Sequence, residues 1–285
     1  MKQKTEVRKN DILLGPLERP ALQWLAAHMP AWVNSDTLTI IGILGSLLTL
    51  VSFIYVGRTG GPLRNYWVLI ACFGFVVNWF GDSLDGTLAR YRHMERPNYG
   101  YFIDHSVDGF TALCMFLGFG FSGISRLDVT LFAAIGYLLM MITVYLKTKV
   151  TGVFEMTTIK LGPTEMRLIA IIFSLVNYFI GVKNVELPLV GSQTYGTLVI
   201  GIIALILFVY YLVETVRVSV KLEKYDAERL IRRKEKEAKK QAKAAAKLEK
   251  KAAKKQRKLE EGSAGAEKKK KKKKKHAVED IPHTA

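Results

Sequence analysis

Cysteine is almost missing from this 285-residue chain: there are two, Cys72 and Cys114. Both lie inside apolar runs, so the sequence offers neither a disulfide framework nor thiolate metal-ligand spacing, and their expected role is packing. No aromatic residue follows Tyr225. The basic C-terminal region therefore lacks a base-stacking platform, which argues against specific nucleic-acid recognition. A cleavable leader is not expected either, because residues 1–11 are rich in charge and the first apolar run begins only near Leu38.

What the chain does have is long apolar runs. Apolar residues make up 49% of the composition. They concentrate in six stretches, about 38–57, 66–84, 101–124, 127–146, 166–183 and 194–216, each near the roughly 20 residues a helix needs to cross a bilayer. Residues 197–212 (TLVIGIIALILFVYYL) show no polar face, which a helix on a soluble all-α protein would need. The expected fold is an all-α membrane protein with six transmembrane helices.

Lysine and arginine are distributed unevenly between the connections. With the N-terminus inside, the cytoplasmic segments hold Lys2, Lys4, Arg8, Lys9 and Arg19, then Arg90, Arg92 and Arg96, then Lys147, Lys149, Lys160 and Arg167. The opposite side holds only Arg58, Arg64, Arg126 and Lys183. The positive-inside rule then places both termini in the cytoplasm.

Four segments are expected. Residues 1–30 form a cytoplasmic segment with a short interfacial helix, carrying Leu17, Ala21, Leu25 and Met29 at a spacing of four beside Trp24. Residues 31–220 form the six-helix domain. Residues 221–261, dominated by Lys, Glu, Ala and Arg, continue as a charged helix. Residues 262–285, with eight consecutive lysines at 268–275, are expected to be disordered. The tail from Arg217 carries 26 of the 42 basic residues, so the net charge of +17 says little about the membrane domain. A basic stretch just past a span attracts anionic lipid, at about 1 kcal/mol per lysine near the surface.

The chemistry concentrates in one constellation, Asp82-x2-Asp85-Gly86-x2-Ala89-Arg90-x9-Gly100-x3-Asp104-x3-Asp108. Four ionised carboxylates left deep and unpaired in a bilayer would cost about 10 kcal/mol. On a helix, Asp82, Asp85, Gly86, Ala89 and Arg90 share one face, as do Gly100, Asp104 and Asp108 on the next. Two antiparallel helices would bring the faces together, with Gly100 permitting close packing of one on the other. Carboxylates converging there repel one another unless cations lie between them. An all-oxygen donor set without Cys or His favours Mg²⁺ or Mn²⁺, with Ca²⁺ also open, over zinc. Two such ions can clamp a diphosphate during displacement at phosphorus. Gly86 and Ala89 keep the face low for a bulky ligand, and Arg90 offers a planar donor fork to phosphate. A proton or cation pathway, as in a cation-coupled transporter, is the alternative for intramembrane acids, and a membrane anchor with a recruiting tail is another.

This constellation resembles the signature of the CDP-alcohol phosphatidyltransferase family at every fixed position, over 27 residues from Asp82 to Asp108. The resemblance implies a metal-dependent transferase of phospholipid synthesis that moves a substituted phosphoryl group from a CDP-linked donor to an alcohol, releasing CMP. It implies that Asp82, Asp85 and Asp104 are metal ligands. Asp108 becomes the general base that takes the acceptor's proton and also touches a metal, and Gly86, Ala89 and Arg90 line the cytidine diphosphate site. The leading substrate reading is CDP-diacylglycerol with a small polar alcohol. The alternative is a CDP-aminoalcohol donor with diacylglycerol as acceptor, which the pair Asp104-His105 favours. A homodimer is carried over from the same resemblance.

The acceptor side rests on Lys147, Lys149, Glu165, Arg167 and His105. Gly162-Pro163-Thr164 opens an apolar helix with Glu165 and Arg167 in its first turn, where both could reach a polar headgroup. His105 points about 100° away from Asp104 on the helix wheel, toward a neighbouring helix or the substrate.

Overall fold

The computed structural model describes residues 7–8, 13–151, 153–154, 162–188 and 191–279. Lys2, Lys4, Lys9 and Lys160 of the charge count, and 280–285 of the tail, lie outside them. The chain divides into two compact units, Met1–Val218 and Ser219–Ala285.

In the first unit, α1 (Gly15–His28) precedes α2 (Ser35–Arg58), α3 (Tyr66–Tyr91), α4 (Pro97–Phe121), α5 (Leu127–Thr151) and α6 (Pro163–Ile180), and α7 runs Tyr195–Glu279. Two small strand pairs accompany them: β1 (Val7–Arg8) lies parallel to β2 (Val153–Phe154), and β3 (Asn184–Leu187) is antiparallel to β4 (Gly191–Thr194). The helix starts follow local chemistry. Asn34 caps α2 by accepting from the Thr37 N–H at 2.8 Å, and Asn65 caps α3 through the Trp67 N–H at 3.2 Å.

Among the described residues, five helices are long and apolar enough to cross a membrane: α2, α3, residues 127–150 of α5, α6 and the apolar part of α7. The chain is a multi-pass membrane protein. The expected sixth span coincides with α4, whose 25 residues have the length but whose first half carries Asp104, His105 and Asp108, lowering its hydropathy.

Helices α2 and α3 pack closely along their length. A Cβ on Gly45 would lie 2.9 Å from the Gly74 carbonyl oxygen, and one on Gly74 equally close to that of Gly45, so only glycine permits this approach. The small-residue contact expected at Gly100 is not found among the described residues: Gly100 is exposed and a Cβ there would meet none of them within 4 Å. Instead, α3 and α4 both pack on α2. One core gathers Phe53, Phe75, Phe116, Phe119 and Ile124. A second joins Leu22 and Ala26 of α1 to Leu38, Leu84 and Leu88. The stripe read from the sequence is split: Leu17 and Ala21 are exposed, as is Trp24 beside it, while Leu25 and Met29 pack partly buried against the core formed with Leu22 and Ala26. Docking on α3 selects the buried face, and Leu17 and Trp24 stay available to lipid.

In the second unit α7 is helical to Glu279, through the Gly262–Gly265 stretch where the sequence suggested an interruption and into the segment expected to be disordered. Strong helix formers flank that stretch. An i,i+4 pair, Arg233 Nε to Glu237 at 3.0 Å, adds side-chain support.

Candidate metal and phosphate site

The two halves of the signature are fixed differently. On α3, Asp82 Oδ2 accepts from Arg167 Nη2 at 2.6 Å, an ion pair reaching across from α6. Asp85 Oδ2 accepts from the Thr39 hydroxyl of α2 at 2.6 Å, and the Ser35 hydroxyl donates to the Asp85 carbonyl at 3.1 Å. The tight α2–α3 crossing puts these donors one helix away from the acids they hold. Behind them lies Asn78, almost fully buried. Its amide nitrogen donates to the Gly42 carbonyl and the Ser46 hydroxyl, both at 2.9 Å, and its oxygen accepts from Arg167 Nε at 2.6 Å.

On α4, Asp104, His105 and Asp108 place one ligand atom each within 4.8 Å of one another. His105 Nδ1 lies 3.7 Å from a carboxylate oxygen of both acids. Two ligands on opposite sides of an ion bound at about 2.1–2.4 Å are about 4.2–4.8 Å apart, so this group is compact enough for one divalent cation. It is not the all-oxygen quartet of the sequence reading: His105 joins it, while Asp82 and Asp85 fall outside it, each with an oxygen taken by Arg167 or Thr39. The charge of Asp108 nonetheless reaches Asp82, and that of Asp104 reaches Asp85, so the four acids share one electrostatic neighbourhood.

His105 also does what the helix wheel suggested, for it touches a neighbouring helix. Its ring stacks on Tyr145 of α5, centroids 4.6 Å apart, and meets Tyr101 edge-on at 4.1 Å. The Tyr145 hydroxyl is buried without a hydrogen-bond partner among the described residues. These aromatic walls went unnoticed in the sequence, since tyrosines in apolar spans read as filler.

The remaining candidates separate. The Arg90 guanidinium folds over Gly86, where a Cβ would lie 3.3 Å from Nη1, and Nη2 donates to the Thr87 hydroxyl at 3.1 Å. Arg90 is exposed and Ala89 half-buried beside it. Glu165 is occupied by backbone, accepting from the N–H of Gly162 and of Leu14, each at 2.8 Å. Lys147 pairs with the buried Glu214 of α7 at 2.8 Å, and Lys149 is exposed. Of the acceptor-side group, Arg167 and His105 stand directly on the acids. Glu18 of α1 accepts from the Trp79 indole and the Thr164 hydroxyl, both at 2.8 Å, tying α1 to α3 and α6 beside the site.

Residues 32–220 match the family described as CDP-alcohol phosphatidyltransferase. Cholinephosphotransferase 1 of Gallus gallus is 27% identical over 199 residues, covering 67% of this chain and 58% of that protein. The Danio rerio and Mus musculus proteins of the same name are each 25% identical, covering 66% and 67% of this chain and 50% of theirs. The chain thus spans about half the length of the curated relatives it matches. With the match running through α2 to α6 and the whole acid constellation, the chain belongs to the CDP-alcohol phosphatidyltransferase family.

Proposed function

We propose that this protein is a divalent-metal-dependent membrane transferase that moves a substituted phosphoryl group from a CDP-linked donor to an alcohol and releases CMP, in phospholipid synthesis. The observation that carries the reading is the compact Asp104–His105–Asp108 group, with the charges of Asp108 and Asp104 felt at Asp82 and Asp85. The acids would hold Mg²⁺ or Mn²⁺, two ions in all, with His105 alongside. When bound, the ions neutralise the diphosphate and the charge that develops on it during displacement.

The chain's own residues supply the rest. Arg90, exposed and lying over Gly86, binds a phosphate of the donor, and Gly86 and Ala89 leave room for the cytidine. Arg167 and Thr39 hold Asp82 and Asp85 in place. Asp108 takes the proton from the acceptor hydroxyl. The acceptor oxygen then forms a bond to the donor's phosphorus, and the bond from phosphorus to the CMP oxygen breaks. Lipid chains reach the site from the bilayer between helices, and both termini and the site face the cytoplasm. Two copies associate as a homodimer, and the basic tail contacts anionic lipid. The six-helix domain occupies 31–220, counting α4 as a span, and 221–261 and 262–285 lie outside the catalytic machinery.

Between the two substrate assignments, the names of the relatives favour a CDP-aminoalcohol donor with diacylglycerol as acceptor, over CDP-diacylglycerol with a small polar alcohol. Incubating purified protein with each donor and an acceptor panel, and reading product mass, separates them. CDP-aminoalcohol plus diacylglycerol is expected to give phospholipid and CMP. Product only from CDP-diacylglycerol would reverse the assignment, and no CMP from either donor would contradict the transferase reading.

A further inference from the structure

We propose that Arg167 is the resident counter-charge of the acid constellation, pairing with Asp82 when no divalent cation is bound and sharing it when one is. The guanidinium is held at two points: Nη2 on Asp82 Oδ2 and Nε on Asn78 Oδ1, each at 2.6 Å. Asn78 cannot turn its oxygen elsewhere without losing the donors its amide gives to Gly42 and Ser46. The arginine is fixed from its own side as well, because Glu165, two residues earlier, locks the start of α6 to the backbone of Gly162 and Leu14. Both members of the ion pair are mostly buried, with side chains 8% and 14% exposed.

Charge arithmetic gives this pairing its role. The charge of Asp108 reaches Asp82 across the site, so without a positive group the cation-free protein would hold like charges together in a partly dry setting. Arg167 takes one oxygen of Asp82 and leaves Oδ1 for a cation. It is not a fully spent structural arginine either, because Nη1 is buried without a hydrogen-bond partner among the described residues. A lysine would keep the charge but not the fork that spans Asp82 and Asn78.

The test is a thermal-unfolding series on the full-length protein in detergent, in EDTA and across a MgCl2 titration. It compares the wild type with Arg167→Met, Arg167→Lys, Asp82→Asn and the Arg167→Met/Asp82→Asn double variant. In EDTA, Arg167→Met is expected to lower Tm by at least about 5 °C. Adding Asp82→Asn should restore part of the loss, because the stranded carboxylate is gone. Mg²⁺ should raise Tm more in Arg167→Met than in the wild type, with Arg167→Lys between them. If Arg167→Met does not accumulate, rescue of its yield by Asp82→Asn is the expected result. Additive losses in EDTA, or failure of the double variant to accumulate as well, would overturn the pairing. An equal Mg²⁺ increment in Arg167→Met and wild type would overturn the sharing. The sharing rests on the cation reading of the proposed function, the pairing does not: no Mg²⁺ increment in any protein contradicts the cation reading while the EDTA series still decides the pair.

Discussion

The α3 and α4 halves of the signature carry two acids each, yet the protein treats them differently. Asp82 and Asp85 are tied by donors from α6 and α2, whereas Asp104 and Asp108 gather around His105 against an aromatic wall from α5. The α3 acids are set by donors from two other helices, and the α4 acids sit with His105 in one compact group on their own helix. Four identical side chains in one motif need not be equivalent, because their neighbours decide what each is free to do.

The strongest way to break this comparison is on α4. Asp108→Asn is expected to cut turnover by about 10²- to 10⁴-fold, the range of a lost general base, with binding of CDP nucleotide retained in a thermal-shift assay. Loss of nucleotide binding instead would place Asp108 among the holding residues. Gly45→Val attacks the other half through its scaffold. A side chain there meets the α3 backbone, at a cost of about 1–3 kcal/mol of stability from overpacking, read as a lower Tm together with weaker activity. Thr39→Val removes one hydrogen bond to a carboxylate and is expected to lower activity about tenfold, chiefly through a higher Mg²⁺ requirement. An unchanged Mg²⁺ requirement would show that Asp85 needs no such support. The smallest effect is expected outside the signature: removing residues 222–285 should leave CMP release within about twofold, since every residue proposed for the chemistry precedes them. Loss of activity on that truncation would support the anchor reading.

The helices were legible because a bilayer imposes a length: the apolar runs near 38–57, 66–84 and 127–146 lie within α2, α3 and α5. The acids were legible because charge beside apolar sequence demands compensation. What was hidden is the identity of the partners. Nothing within the 27-residue signature says that Thr39, far upstream, or Arg167, far downstream, will meet its acids, because helix periodicity fixes a face and not the helix opposite it. Glu165 carries two signals at once: a Gly-Pro-Thr-Glu start is a capping pattern, and its carboxylate accepts from the backbone N–H groups of Gly162 and Leu14. His105 shows the reverse. A 100° offset on a wheel does not separate a long side chain from acids one residue before it and one turn after it, so it stands beside both.

The central claim is that these acids work by holding divalent cations for transfer from a CDP-linked donor. Its most direct test is CMP release by the purified protein in detergent, followed through EDTA treatment and Mg²⁺ restoration. Release is expected to stop in EDTA and to return with Mg²⁺ in the wild type but not in Asp108→Asn. Release that continues undiminished in EDTA, or in Asp108→Asn, would contradict it.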